Sequence, residues 1–123
     1  MRELASLVAK YIEETDNVSF AELSNRFPEF RDGKYEFVLG ETNIVIWCGM
    51  TTEAVNAINS LFVDQVIGAV PSSVMVYMID GAMLKLPIAK RSGPYKKPHW
   101  APVVLRPYAK VPPKFRRKRI APK

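Results

Sequence analysis

The chain has 123 residues, 48% of them hydrophobic, which is enough for one domain with a modest core. Its single cysteine excludes an internal disulfide and favours a reducing compartment, and its formal net charge of +6 favours an anionic partner. The longest uncharged run, residues 65–79, is too short to cross a bilayer, so we expect a cytoplasmic protein without a membrane partner.

The two parts of the chain differ in charge. Residues 1–90 contain all 12 acidic residues and 7 of the 18 Lys and Arg residues, for a net charge of −5. Residues 91–123 contain the other 11 basic residues, no acidic residue and 7 of the 10 prolines. This division predicts a folded domain over residues 1–90 and a Pro-rich basic arm over residues 91–123, with about the last ten residues disordered.

The N-terminal quarter of the chain has the pattern of two helices. Apolar residues recur at spacings of three and four over residues 2–14, which predicts an amphipathic helix. Ser19 and Glu22 have the spacing of a capping box, in which the Ser hydroxyl accepts the amide three residues later. A second helix is therefore predicted over residues 20–27, ending before Pro28.

The middle of the chain alternates between strand and helix patterns. Residues 35–39 and 43–47 are rich in aromatic and β-branched side chains and predict a hairpin. Thr51 is a good N-cap for a long helix over residues 52–67. Residues 74–79 and 82–88 predict a second hairpin, because Asp80-Gly81 supplies the positive φ angles of a tight turn.

The order of these elements resembles the winged helix-turn-helix superfamily over about residues 2–90. The first two helices lie in RELASLVAKYIEETDNVSFAELSNRF, and the third helix with its wing lies in TTEAVNAINSLFVDQVIGAVPSSVMVYMIDGAMLKLP. The segment NIVIWCGMTTEAV is also similar to small phage- and prophage-encoded proteins. The expected fold is α+β, a winged helix-turn-helix with a β-hairpin inserted between helices 2 and 3 and an extended basic C-terminal arm. The alternative is a small α+β domain of another kind.

The resemblance implies a small DNA-binding transcription regulator or accessory factor, associated with the nucleoid. Its third helix would enter the major groove with its N-terminal residues nearest the bases. Asn side chains there would pair with adenine and Thr methyl groups would contact thymine. The alternative for each of these side chains is ordinary solvated surface. The candidate base contacts are Thr51, Thr52, Asn56 and Asn59.

Basic residues near and in the arm are the candidate phosphate contacts. Several alternate with Tyr95, His99 and Trp100, a pattern that suits phosphate neutralisation combined with base stacking. The apolar part of YKKPHWAPVVL is expected to pack on the body or on a partner. The candidates are Lys85, Lys90, Arg91, Lys96, Lys97, Arg106, Lys110, Lys114, Arg116, Arg117, Lys118 and Arg119.

The sequence also allows partners other than DNA. The body could dock to another protein or form a homodimer, and the arm could bind RNA, an acidic partner or the body itself. Lys85 could simply protect a strand edge from pairing.

Catalytic chemistry is not indicated. The only histidine, His99, lies in the arm, whereas Cys48 lies on a predicted strand, so a Cys-His pair is not expected. No clustered Cys, His or carboxylate residues suggest a metal site, and no Gly-rich phosphate loop occurs. We therefore expect a protein without catalytic residues, metal or cofactor.

Overall fold

A computed structural model describes residues 3–91 and 93–116 and has the α+β architecture that the sequence predicts. The helices within these residues are α1 (Leu4–Thr15), α2 (Phe20–Arg26), α3 (Thr52–Val63), α4 (Val74–Asp80) and α5 (Pro113–Arg116). The strands are β1 (Val18–Ser19), β2 (Tyr35–Val38), β3 (Ile44–Met50), β4 (Ile67–Pro71), β5 (His99–Trp100) and β6 (Val103–Pro107). Short 3₁₀ turns cover Pro28–Phe30 and Tyr108–Lys110.

The strands form two three-stranded sheets. The first has the order β1-β6-β4, with both pairs antiparallel. The second has the order β2-β3-β5, in which β2 and β3 are antiparallel and β5 runs parallel to the start of β3. No helix within residues 3–91 and 93–116 combines the length and the apolar character needed to span a bilayer.

The first two helices are confirmed, and local chemistry explains both. Leu4, Val8 and Ile12 of α1 are buried, as expected for the apolar stripe of an amphipathic helix. The hydroxyl oxygen of Ser19 accepts the amide of Glu22 at 3.0 Å and so caps α2. The Glu22 carboxylate accepts a hydrogen bond from the Tyr11 hydroxyl, which ties α1 to α2.

The inserted hairpin β2–β3 and the start of α3 are also confirmed, but the predicted third helix is too long. It ends at Val63, and Gln65 takes a positive φ of 58°. Residues 64–66 form a turn instead of a last helical turn, and β4 begins at Ile67. Its first residues, IGAV, are a short, apolar and partly β-branched run, which is the pattern of a buried strand.

The second predicted hairpin is wrong. Residues 74–80 form α4, and residues 82–88 contain only an isolated bridge from Ile88 to Trp100. The Ser73 hydroxyl accepts the amide of Met75 and begins the helix. Gly81 ends it in the left-handed conformation, at φ 95°. A Gly that supplies a positive φ serves a helix C-cap as well as a hairpin turn, so the local signal was ambiguous.

The segment predicted as an arm contributes to both sheets. Val103–Pro107 is the central strand of the first sheet, and His99–Trp100 extends the second. Leu105 and Trp100 are fully buried, as the expectation of packing on the body required. A boundary at residue 90 therefore does not separate a folded body from an appended segment. The last residues, 117–123, lie outside the described part of the chain.

An aromatic cluster joins the two sheets at the centre of the core. The Trp47 ring on β3 lies 6.3 Å from the Trp100 ring on β5, and Tyr77 on α4 lies 4.9 Å from Trp100. The buried Tyr77 hydroxyl donates to the carbonyl of Val103 and accepts the amide of Phe20. Burial raises the pKa of Tyr77. This network holds β5 and the start of β6 against α2 and α4.

Candidate nucleic-acid interface

The loop formed by residues 89–98, here called the basic loop, is closed at its base by backbone hydrogen bonds. The amide of Ala89 donates to the carbonyl of Trp100 at 2.8 Å, and the amide of Trp100 donates to the carbonyl of Pro87 at 2.8 Å. Residues 87–89 therefore run beside β5 as a further short pairing at the edge of the second sheet. Pro87 is accommodated here because its carbonyl is used and no amide is needed from it.

The basic loop also docks on the turn between β2 and β3. The amide of Tyr95 donates to the carbonyl of Thr42 at 2.9 Å, and the side-chain amide of Asn43 donates to the carbonyl of Tyr95 at 2.8 Å. The amide of His99 donates to the carbonyl of Asn43 at 2.9 Å. These contacts fix the middle of the loop to a rigid sheet.

Three side chains of this region form a stack. The rings of Tyr95 and His99 are 3.7 Å apart and 18° from parallel, and the Arg91 guanidinium lies 4.3 Å over the centre of the Tyr95 ring. Two planar groups at such distances would clash on one face, so Arg91 and His99 lie on opposite faces of Tyr95. The Tyr95 hydroxyl accepts the amides of Lys90 and Arg91 at 2.8 and 3.0 Å. The stack is thereby joined to the backbone that carries the cations.

Four cations lie next to the stacked residues in the sequence, and all four are exposed: Lys90, Arg91, Lys96 and Lys97. In the part of the chain that the structure describes, none of them is paired with a carboxylate. The sequence contains no acidic residue after Asp80, so no carboxylate on the loop itself opposes this charge. The loop therefore presents a net positive charge to solvent.

An open concavity of about 640 Å³ lies beside the stack. Its volume is in the range of small-molecule sites in proteins. It combines apolar, aromatic and cationic surface, which is the combination that a stacked base with its phosphate requires. Its lining residues are Pro87, Ile88, Lys90, Arg91, Tyr95 and His99.

The residues predicted to read bases lie on α3, but they are not equivalent. Thr52 and Asn56 are exposed, whereas the Thr51 hydroxyl oxygen accepts the amide of Ala54 at 3.1 Å as the N-cap. Asn59 was expected to face outward. It is half-buried, and its Oδ1 is buried without a hydrogen-bond partner among the described residues.

The exposed face of α3 has the opposite charge to the basic loop. It carries Glu53 and Asp64 and no Lys or Arg. The helix starts after Met50 at the end of β3, while β5 pairs with Ile44 and Val45 at its start. At about 3.3 Å per residue, these two ends of β3 are about 20 Å apart. The start of α3 and the basic loop therefore lie at opposite ends of β3.

Arg106 and Lys110 lie at the end of β6 and have an internal partner. Arg106 donates to both carboxylate oxygens of Asp16, at 2.9 and 2.8 Å, and Lys110 Nζ lies 3.7 Å from Asp16 Oδ2. The hydrogen bond from Arg106 lowers the pKa of Asp16 from 3.8 to about 2. Arg106 is thus engaged in holding the end of α1 to the sheet.

The remaining basic candidates are dispersed. Lys85 is exposed in the segment after α4, and Lys114 is exposed on α5. Arg116 donates to the carbonyls of Val111 and Ala109 and lies over the Tyr108 ring, so it closes the C-terminal turn. Arg117, Lys118 and Arg119 lie outside the described residues.

Sequence reasoning selected the cations of the basic loop but left Tyr95 and His99 out of the candidate site. The alternation of basic and aromatic residues was the signal that pointed to them. Pro87 and Ile88 were missed because they were assigned to a wing strand. Docking on Thr42 and Asn43 had no local signal, because those residues are about fifty positions away in the chain.

Comparisons of this chain with protein-family models, with curated proteins and with solved structures found no match.

Proposed function

We propose that this protein binds nucleic acid, with DNA as the expected polymer, through the basic loop. The observation that carries the proposal is the group of four exposed cations next to the stacked Tyr95 and His99 in the sequence, none of which is paired with a carboxylate among the described residues. Cations of this kind displace condensed counterions from a phosphate backbone, which drives association at low salt. The polymer would contact a preformed surface, because the loop is hydrogen-bonded to two neighbouring segments.

The order of elements supports a winged-helix variant of this proposal, with a different wing from the one that the sequence suggested. Along the chain, β1 lies between α1 and α2, and the inserted hairpin lies between α2 and α3. The antiparallel strands β4 and β6 follow α3. In this variant β4 and β6 are the wing strands, and the segment between them contains α4 and the basic loop. Insertion of α3 into the major groove, through Thr52 and Asn56, remains a prediction.

We place the phosphate contacts on the basic loop and not on α3. The exposed carboxylates Glu53 and Asp64 on α3 would repel phosphates, whereas the loop has no carboxylate. A DNA duplex that contacts the loop would reach the start of α3 only across the length of β3. The expected role is that of a small regulator or accessory factor acting on DNA.

Fluorescence anisotropy of the full chain with a labelled duplex tests the proposal. We expect binding at about 50 mM salt that weakens by orders of magnitude at about 200 mM, because several cations release counterions. Single-stranded RNA and polyglutamate serve as competitors, since they separate DNA binding from RNA binding and from capture of an acidic protein. Absence of binding to either nucleic acid at low salt would contradict the proposal.

A second candidate function, docking to a protein, is favoured by an apolar surface on α4. Met75, Met78 and Ile79 are 60%, 59% and 78% exposed, and they share one side of the helix at spacings of three and four. Exposed apolar groups of this kind are typical of protein interfaces.

The substitutions Met78→Gln and Ile79→Gln distinguish the two functions. They should leave DNA affinity unchanged if the basic loop is the interface. If α4 is a self-association surface, the same pair should shift the sedimentation coefficient of the full chain toward that of a monomer.

A further inference from the structure

The concavity beside the basic loop has a composition that phosphate binding alone does not require. Simple neutralisation of a duplex backbone needs only exposed cations. This surface instead includes the apolar side chains of Pro87 and Ile88 and the stacked ring of His99. A surface that combines apolar side chains, an aromatic ring and cations suits a ligand with a planar ring and an anionic group.

The orientation of His99 defines what the concavity offers such a ring. One face of the imidazole is covered by Tyr95, so the other face and the ring edge are left to line the concavity. His99 Nδ1 lies 2.9 Å from the carbonyl of Lys97. Since a carbonyl only accepts, Nδ1 carries a proton, and Nε2 of the neutral ring is an acceptor. The ring is thus held in place by a stack on one side and a hydrogen bond at one edge.

Two cations line the same concavity as His99. They are Lys90 and Arg91, and both of their amides donate to the Tyr95 hydroxyl. Arg91 is held over Tyr95 with its guanidinium on the side opposite His99. A strand with one base stacked on His99 would therefore pass cations that line the same concavity, and the loop contributes no carboxylate.

We propose that this concavity is a subsite for one unpaired base of a single-stranded nucleic acid, with the base stacked on His99 and the phosphates of the same strand contacted by the cations that line the concavity. The proposal rests on the proposed nucleic-acid binding and adds a substrate class to it. A base inside a duplex is stacked on both faces by its neighbours and is not available to this surface. The protein would then prefer DNA or RNA that contains an unpaired stretch.

Binding of a short oligothymidine and of an abasic oligomer with the same number of phosphates tests this subsite. The two ligands have equal backbone charge and differ only in their bases. We expect the full chain to bind oligothymidine about tenfold more tightly, the effect of one stacked base. Oligodeoxyuridine and oligouridine of the same length share a base and differ only in the sugar, so equal affinity for these two assigns the subsite to the base alone.

Two substitutions at one position give the internal control. His99→Ala removes the stacking face and should abolish the preference for bases, with affinity for the abasic oligomer unchanged. His99→Phe keeps a ring of similar size and should retain the preference. A preference that survives His99→Ala, or that is lost in His99→Phe, would overturn the subsite.

The outcomes also separate this inference from the function on which it rests. Equal binding of oligothymidine and the abasic oligomer at low salt would overturn the base subsite while leaving nucleic-acid binding intact. Absence of binding to both oligomers and to duplex DNA would overturn both proposals. Circular dichroism of each variant shows whether the fold is retained.

Discussion

Replacement of Lys96 and Lys97 by alanine is the perturbation that most directly examines how the basic loop would bind. Both side chains are exposed, neither is paired with a carboxylate in the described part of the chain, and neither donates a hydrogen bond that stabilises the fold. Exposed substitutions of this kind change stability by about 0.5 kcal/mol or less. An effect on DNA affinity would therefore report on binding and not on folding.

The expected magnitude follows from counterion release. Each phosphate contact on duplex DNA contributes about −0.9 to the slope of log K against log salt, so loss of two contacts reduces the slope by about 1.8. With no other change, affinity falls about 200-fold at about 50 mM salt and about 20-fold at about 200 mM. Fluorescence anisotropy titrations at several salt concentrations measure both the slope and the loss.

Lys10 on α1 and Lys34 before β2 provide the matched control. Both are exposed, and their replacement by alanine changes the net charge by the same amount. The K10A/K34A variant should keep nearly the full slope and affinity. An equal loss in both double variants would refute the reasoning, because binding would then depend on overall charge and not on the basic loop.

Three further predictions concern the fold that positions the loop. Leu105→Ala removes a fully buried side chain from the central strand and should lower the free energy of unfolding by about 2–5 kcal/mol in urea titrations. Tyr77→Phe leaves two buried backbone partners unsatisfied and should cost about 1–3 kcal/mol in the same assay. The pKa of Asp16 is lowered from 3.8 to about 2 by Arg106, so the stability it contributes is present above about pH 4 and lost as pH falls toward 2. Asp16→Asn should remove this part of the pH dependence of Tm.

Each of these predictions has a contradicting result. If Leu105→Ala costs no more than the exposed control Val63→Ala, the segment from Val103 to Pro107 is not part of the core. A Tyr77→Phe variant as stable as the parent would show that its hydroxyl does not support Phe20 and Val103. Equal Tm profiles of the parent and Asp16→Asn between about pH 2 and 4 would exclude a native-state effect of Arg106 on that carboxylate.

The parts of the fold that sequence reasoning predicted correctly depend on local chemistry. Ser19 and Thr51 cap helices with their own hydroxyl groups, and the apolar stripe of α1 has the helical period. Residue patterns of this kind carry their own signal, because the interacting atoms are within four positions of each other.

The parts that were wrong depend on distant partners or on ambiguous local signals. Strand β6 is central because Leu105 pairs with both Val18 and Ala69, and no local pattern specifies those partners. A Gly with positive φ suits a hairpin turn and a helix C-cap equally, so Gly81 did not decide between them.

Part of the candidate site could be predicted because its sequence signal is local, and the rest could not because it depends on distant partners. The alternation of Lys96 and Lys97 with Tyr95 and His99 is local and indicated a surface for phosphates and bases. The stack between Tyr95 and His99, and the docking of the loop on Thr42, require the folded second sheet. The inward position of Asn59 on α3 likewise depends on what packs against the helix.

Backbone amide chemical shifts of the isotope-labelled full chain, recorded while an oligonucleotide is added, test the central claim most directly. The measurement reports every part of the surface in one titration. We predict that the largest changes fall on residues 87–99, around Tyr95 and His99, with smaller changes on α3 and none on α4. Changes confined to α4 or α3, with residues 87–99 unperturbed at saturating ligand, would contradict the account.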